Sequence, residues 1–186
     1  MTALRRLAAM TCLATAMSAA ALGQTLTIYG TAPGQQGPAY PGGTIAAGDT
    51  VRIDDGGSVT GAVANSGTLQ FNQTSGSLSL TYTGGATATL SLTNSGTVAL
   101  PQSSPTTIID GAVNVQAGRL TTGTSEFGST GTSSLSISGT GSVATTNVRF
   151  ASGSGSVAVF TMSGGTFANT QSFYFCLLYT SPSPRD

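Results

Sequence analysis

Between residues 24 and 175, few side chains can do acid–base or charge chemistry. The acids are Asp49, Asp54, Asp55, Asp110 and Glu126, and the cations are Arg52, Arg119 and Arg149. Two carboxylates facing each other across a groove are the machinery of glycoside hydrolysis, one as acid and the other as base or nucleophile. The spacing here supplies no such pair. Asp54 and Asp55 are neighbours, and neighbours on a strand point to opposite faces. In Asp54-Asp55-Gly56-Gly57 they fit a turn, where short carboxylates accept backbone hydrogen bonds. Asp110 precedes Gly111 in a second turn-like dipeptide. Asp110, Arg119 and Glu126 could meet across stacked strands, but nothing in their spacing requires it.

Other chemistries lack their reagents. The chain has no His and no Lys, which removes the Ser-His-Asp triad and the lysine base. Cys12 and Cys176 lie near the two ends, so residues 24–175 carry no thiolate nucleophile, disulfide or Cys metal site. Asp49, Asp54 and Asp55 are near enough in sequence for a calcium loop. Such a loop needs several more oxygens in a defined order, and the Gly-Gly-x-Gly-x-Asp repeat of calcium-binding solenoids is missing. The Gly pairs, such as Gly56-Gly57 and Gly84-Gly85, lack a following Lys-Ser/Thr and fit corners instead of phosphate cradles. No catalytic, cofactor-binding or metal-binding residue is therefore expected, no cofactor is implied, and the chain is read as non-enzymatic.

The elements that must carry these residues follow from composition and repetition. Gly, Ser and Thr make up 81 of 186 residues, 39% of the chain is apolar, and the net charge is zero. Thr, Val and Ile favour strands, while Gly and Ser clusters favour turns. A neutral chain with three internal Arg offers no electrostatic footprint for nucleic acid. From Asp49 onward a unit recurs in which alternating apolar residues run into a small polar turn containing Gly. Asn65-Ser66-Gly67-Thr68 returns as Asn94-Ser95-Gly96-Thr97. Val113-Asn114-Val115-Gln116-Ala117-Gly118-Arg119-Leu120 and Leu135-Ser136-Ile137-Ser138-Gly139 are further copies. The turn glycines 67, 96, 118, 139 and 164 lie 29, 22, 21 and 25 residues apart.

Repeats of that length point to stacked supersecondary units. Runs of three to five residues with period-2 alternation cannot bury much alone. Stacked as parallel rungs, their inward Val, Leu, Ile, Met and Phe form one column, and outward Thr, Ser, Asn and Gln solvate the faces. About six rungs fit residues 49–175. Phe71, Tyr82, Phe127, Phe150, Phe160 and Phe167, about one per segment, fit stacking in the core. The rival architecture is a carbohydrate-binding β-sandwich, which also shows short strands and regular turns. Residues 24–48, with Pro33, Pro38 and Pro41 among many Gly, read as a loose lead carrying one capping strand at residues 25–29.

The segment Gly61-Ala62-Val63-Ala64-Asn65-Ser66-Gly67-Thr68-Leu69-Gln70-Phe71-Asn72 resembles the start of the autotransporter-associated β-strand repeats of passenger domains. Residues 106–120, from Thr106-Thr107-Ile108-Ile109-Asp110-Gly111 to Gly118-Arg119-Leu120, are similar to a later rung of that family. The resemblance covers most of residues 50–170. It implies an all-β fold, a right-handed parallel β-helix, and a passenger carried outside the cell by a C-terminal barrel. No barrel is visible in this sequence.

The two ends read differently. Arg5 and Arg6, an uncharged apolar run over 7–22, and Ala21-Leu22-Gly23 before Gln24 form a secretory signal peptide over residues 1–23, expected as a helix. The last eleven residues, Cys176 to Asp186, lose Gly and gain two Pro. They resemble a translated transposase-end adapter of sequencing libraries, which implies that residues 176–186 are foreign and that the natural chain continues past Phe175. The expected protein is an exported structural or adhesive surface stalk at the outer membrane or outside the cell. Its partners would be surface glycans or other cells met along the solenoid face, with membrane attachment only through a region beyond Phe175. The enzyme alternative is the N-terminal part of a polysaccharide-active β-helix.

Overall fold

A computed structural model describes residues 24–101 and 106–175. The expected signal-peptide helix and residues 176–186, expected to be foreign, lie outside these residues. The described chain is all β, without a helix, and coils into a parallel β-solenoid of seven turns.

Each turn contributes one short strand to a first sheet and further strand segments to the opposite side of the coil. Most of these lie in a second sheet, while the middle segments of the first two turns pair as a separate two-stranded sheet. The first turn is β1 (Leu26–Tyr29), β2 (Ala39–Tyr40) and β3 (Gly43–Ile45). The second is β4 (Thr50–Ile53), β5 (Ser58–Val59) and β6 (Val63–Asn65). The third is β7 (Thr68–Phe71), β8 (Ser77–Ser79) and β9 (Tyr82–Gly84), and the fourth β10 (Thr89–Leu92), β11 (Thr97–Leu100) and β12 (Thr107–Ile109). In the fifth, β13 (Gly111–Val115) is followed by the single long strand β14 (Arg119–Phe127). The sixth repeats this with β15 (Thr132–Ile137) and β16 (Ser142–Phe150). The seventh is β17 (Val157–Met162), β18 (Thr166–Asn169) and β19 (Phe173–Phe175).

Every strand pairing among these residues is parallel. The sandwich alternative falls on that point, because its sheets are antiparallel. The first sheet has the order β1-β4-β7-β10-β13-β15-β17, one strand per turn. In its register Leu26, Thr50, Thr68, Thr89, Ala112, Ser134 and Val159 stand above one another. The turns they mark are 24, 18, 21, 23, 22 and 25 residues long.

Alternation along each strand builds the core. Val51, Leu69, Leu90, Val113, Leu135 and Phe160 stack as one inward column of the first sheet. Ile53, Phe71, Leu92, Val115, Ile137 and Met162 form the next. From the second sheet, Leu78, Val98, Leu120, Val143 and Phe167 close the column from the other side. Leu69, Leu90, Val113 and Leu135 are completely shielded. Each such side chain contributes about 1.5–3 kcal/mol by leaving water. At the far end Phe127, Phe150 and Phe175 are register partners, with ring centroids 5.1 and 4.9 Å apart and nearly parallel planes.

Three features depart from the sequence expectation. The solenoid begins at Leu26 instead of near residue 49, so there are seven turns where six were expected. β1 covers the expected capping strand, but β2 and β3 were hidden by Pro and Gly. Pro33 and Pro38 fall in the wide loop between β1 and β2, and Gly42 and Gly43, with φ of 86° and 111°, turn the chain into β3. Second, β14 and β16 are nine residues long. They pass the second corner without a loop, and only the Gly123/Thr146 level drops out of the pairing. Third, the two Asn-Ser-Gly-Thr copies occupy different corners. The first leads from β6 into β7, closing one turn and opening the next. The second lies within a turn, between β10 and β11. The 29-residue spacing of Gly67 and Gly96 is therefore not a turn length.

Gly118 shows why the inner corner between first and second strands keeps its glycines. Its φ is 76°, and a Cβ there would collide with the carbonyl oxygens of Gly96 and Asn94 one turn below. Replacing Leu90 by Ala is expected to leave a cavity in the middle of the column. Urea unfolding should then report a loss of about 2–5 kcal/mol, with the β-type circular dichroism retained.

Candidate functional site

The acids singled out by the sequence are dispersed, and most join neighbouring turns. Asp49 stands just before β4 and reaches back to the first turn, where Thr25 donates its backbone N–H (3.1 Å) and its hydroxyl (2.8 Å) to Oδ1. These bonds hold the Asp49 carboxyl below its ordinary range. Asp55 reaches forward. Thr74, one turn on, gives its N–H to Oδ1 (2.7 Å) and its hydroxyl to Oδ2 (2.9 Å). Asp110, almost fully buried, does the same farther along the solenoid, between β12 and the chain after β14, accepting from Ser129 N–H at 2.6 Å and from the N–H and hydroxyl of Thr130. The motif is one carboxylate holding a Thr backbone and hydroxyl in the adjacent turn. Charge-assisted bonds of this kind are stronger than neutral ones.

Asp49, Asp54 and Asp55 do not share a loop. They sit at opposite ends of β4, which at about 3.3 Å per residue separates them by roughly 15 Å. Among the described residues no cluster of three metal-ligating side chains exists. Asp110, Arg119 and Glu126 are not brought together either. Glu126 pairs with Arg149, its register partner in the next turn, at 3.1 Å, and the Arg149 guanidinium lies 5.9 Å from the Tyr174 ring centre. Arg119 is exposed at the start of β14. Sequence reasoning did not couple Arg149 to Glu126, although their separation of 23 residues is one turn length.

The densest polar arrangement lies along the first corner of the early turns. Asp54 is its centre. The Arg52 guanidinium straddles the carboxylate, with Nε 2.9 Å from Oδ1 and Nη2 donating to Oδ2 at 3.0 Å. Gln35 of the first turn donates from Nε2 to Oδ2 (3.0 Å), and Asn72 of the third from Nδ2 to Oδ1 (3.2 Å). The network continues as Thr93 donates its hydroxyl to Asn72 Oδ1 (3.2 Å). Of these, Gln35, Asp54 and Asn72 border an open cleft of about 360 Å³, completed by Thr31, Ala32, Asp55, Thr74 and Asn94. Gln35, Asn72 and Asn94 were not singled out as site residues by the sequence. Lone carboxamides in a Gly/Ser/Thr-rich chain carry no signal until the turn length aligns them.

A buried polar group explains the first Asn-Ser-Gly-Thr copy. Asn65 points into the core at the level of Ile45, Gly84 and Ile109. It donates from Nδ2 to the Tyr82 hydroxyl (3.1 Å) and to Thr89 O (3.0 Å), and accepts from Gly67 N–H (3.0 Å). Gly84 leaves room for the Tyr82 ring, since a Cβ there would press on its edge. In the second copy Asn94 bonds only its neighbour's Ser95 N–H among the described contacts.

In comparisons with known proteins, no family model matches the chain, and no curated protein or solved structure matches it.

Two measurements check these assignments. Asp110→Asn keeps the shape but replaces an acceptor oxygen with donors facing donors. It should lower stability by about 1.5–3 kcal/mol in urea unfolding. Burial pushes the Tyr82 phenol up to about 12. The folded chain keeps a proton that the unfolded chain sheds near pH ~10. The stability contributed by this group is therefore present below about pH 10 and lost as pH rises toward about 12. Alkaline unfolding midpoints should fall over that window in the parent, and the fall should be smaller in Tyr82→Phe.

Proposed function

We propose that the chain is a non-catalytic, exported surface protein: a rigid, adhesive or structural stalk of the autotransporter-passenger kind. The observation carrying this reading is the use of its acids. Asp49, Asp55 and Asp110 each hold a threonine of an adjacent turn, Glu126 pairs with Arg149 of the next turn, and Asp54 is enclosed by Arg52, Gln35 and Asn72. Carboxylates engaged in this way serve the ladder and are poorly placed to exchange protons with a substrate.

A parallel solenoid fits that role on mechanical grounds. Its turns rise by about 4.8 Å each, so seven span about 30 Å along the axis. A longer chain of the same repeats extends without a larger core, because each turn contacts only its neighbours. Export is supported by residues 1–23, whose Arg5-Arg6, apolar run and Ala21-Leu22-Gly23 match the three regions of a secretory signal. The outward faces carry small hydroxyl and amide groups, suited to many weak polar contacts with glycans or another cell.

The test has two arms. Expressed with its own residues 1–23 in a bacterium, the chain should cross the inner membrane and be recovered with Gln24 at its N-terminus by mass spectrometry. Cytoplasmic, unprocessed protein overturns the export reading. Purified chain incubated with pectin, xylan and alginate should release no reducing ends or unsaturated products. Measurable release, abolished by a substitution among the five acids, overturns the non-catalytic reading.

A further inference from the structure

We propose that the first-corner cleft of the early turns is a binding site for a neutral saccharide, engaging vicinal hydroxyls. This deepens, and rests on, the reading of the chain as a surface protein that meets glycans.

The ligand class follows from which groups still have capacity. Asp54 has little. Its two oxygens already meet the Arg52 guanidinium and the amides of Gln35 and Asn72. A carboxylate has about four lone-pair positions. Three N–H groups donate to this one, and Arg52 Nε lies 2.9 Å from Oδ1 as an ion-pair contact without hydrogen-bond geometry. Arg52 also neutralises its charge. Asp55 differs. Each of its oxygens accepts one bond from Thr74, and each retains a further lone pair. Across the cleft, Asn94 uses its oxygen on Ser95 N–H and carries an amide with two donors. Gln35 and Asn72 each spend an N–H on Asp54 and have a second one, and both are held in place by it.

The cleft thus sets one carboxylate acceptor among several fixed amide donors, with Thr31 and Thr74 hydroxyls at its border. A hydroxyl both donates and accepts, so two adjacent hydroxyls can each bond the carboxylate and an amide. A divalent cation is disfavoured, because one uncompensated carboxylate supplies too few hard oxygens. An anion is disfavoured by Asp55 itself. The groups come from the first four turns. Gln35, Asp55 and Asn72 are held by bonds between turns and Asn94 by the N–H of Ser95, so little side-chain freedom is lost on binding.

The experiment uses the full chain and three probes, mannohexaose, cellohexaose and maltohexaose, followed by saturation-transfer NMR and calorimetry. At least one should bind with a dissociation constant on the order of 1 mM. Asn94→Ala and Asp55→Ala should each weaken it about tenfold, with EGTA without effect. Asn94→Ala removes no bond between turns and should unfold at the parent's temperature, which separates loss of the site from loss of the fold. Binding that survives both substitutions overturns the cleft while leaving glycan contact elsewhere on the solenoid standing. Binding that requires calcium overturns the hydroxyl chemistry, and no binding of any probe overturns the proposal.

Discussion

The spacing between parallel strands, about 4.8 Å, governs this molecule. Each residue lies directly over its equivalent in the turn before. A side chain that suits one level must therefore suit contact with a near copy of itself. Apolar groups satisfy this without difficulty, which is why Leu69, Leu90, Val113 and Leu135 succeed one another. Aromatic rings do so by lying nearly flat, as Phe127, Phe150 and Phe175 do. Like charges cannot. In the register columns Arg52 stands over Ile28 and under Gln70, Arg119 over Thr97 and under Ser142, and Glu126 over Ile108 and under Arg149. The scarcity of charge in the sequence reflects the same restriction.

The corners face a related problem. Backbone groups there leave the ladder and need other partners. Many find them one turn away, as when Thr68 N–H reaches Asp49 O and Thr89 N–H reaches Gly67 O. The three Asp–Thr contacts do the same with side chains, at intervals of 24, 19 and 20 residues. Asn65 solves the inward version, bonding a carbonyl, an amide and a phenol inside the core. Unpaired, those groups would each cost about 1–3 kcal/mol.

Much of the fold was legible because alternation and turn chemistry are local. Val51 to Phe167 alternate as a half-buried strand set must, and Gly-containing clusters mark the corners. What was not legible depends on which corner a turn belongs to. Asn65-Ser66-Gly67-Thr68 and Asn94-Ser95-Gly96-Thr97 are identical in letters, yet one opens a turn and the other divides one. Only neighbours from other turns, Tyr82 and Thr89 for the first copy, distinguish them. The N-terminal turn was obscured because Pro33, Pro38 and Pro41 fall in its connections among many Gly. The cleft was invisible for a similar reason. Gln35, Asp54 and Asn72 are spaced by 19 and 18 residues, and their meeting depends on the lengths of two particular turns.

The first corner has one more consequence, which concerns inheritance. Strands of the first sheet keep four to six residues through all seven turns. The stretch between β1 and β2 runs from Gly30 to Pro38, whereas between β17 and β18 it is only Ser163, Gly164 and Gly165. Lengthening a surface loop is cheap, about 0.6 kcal/mol per doubling. Genetic insertions and deletions at this edge can accumulate without disturbing the stack. One rim of the exterior can therefore be redrawn by changes in corner length while the interior stays the same.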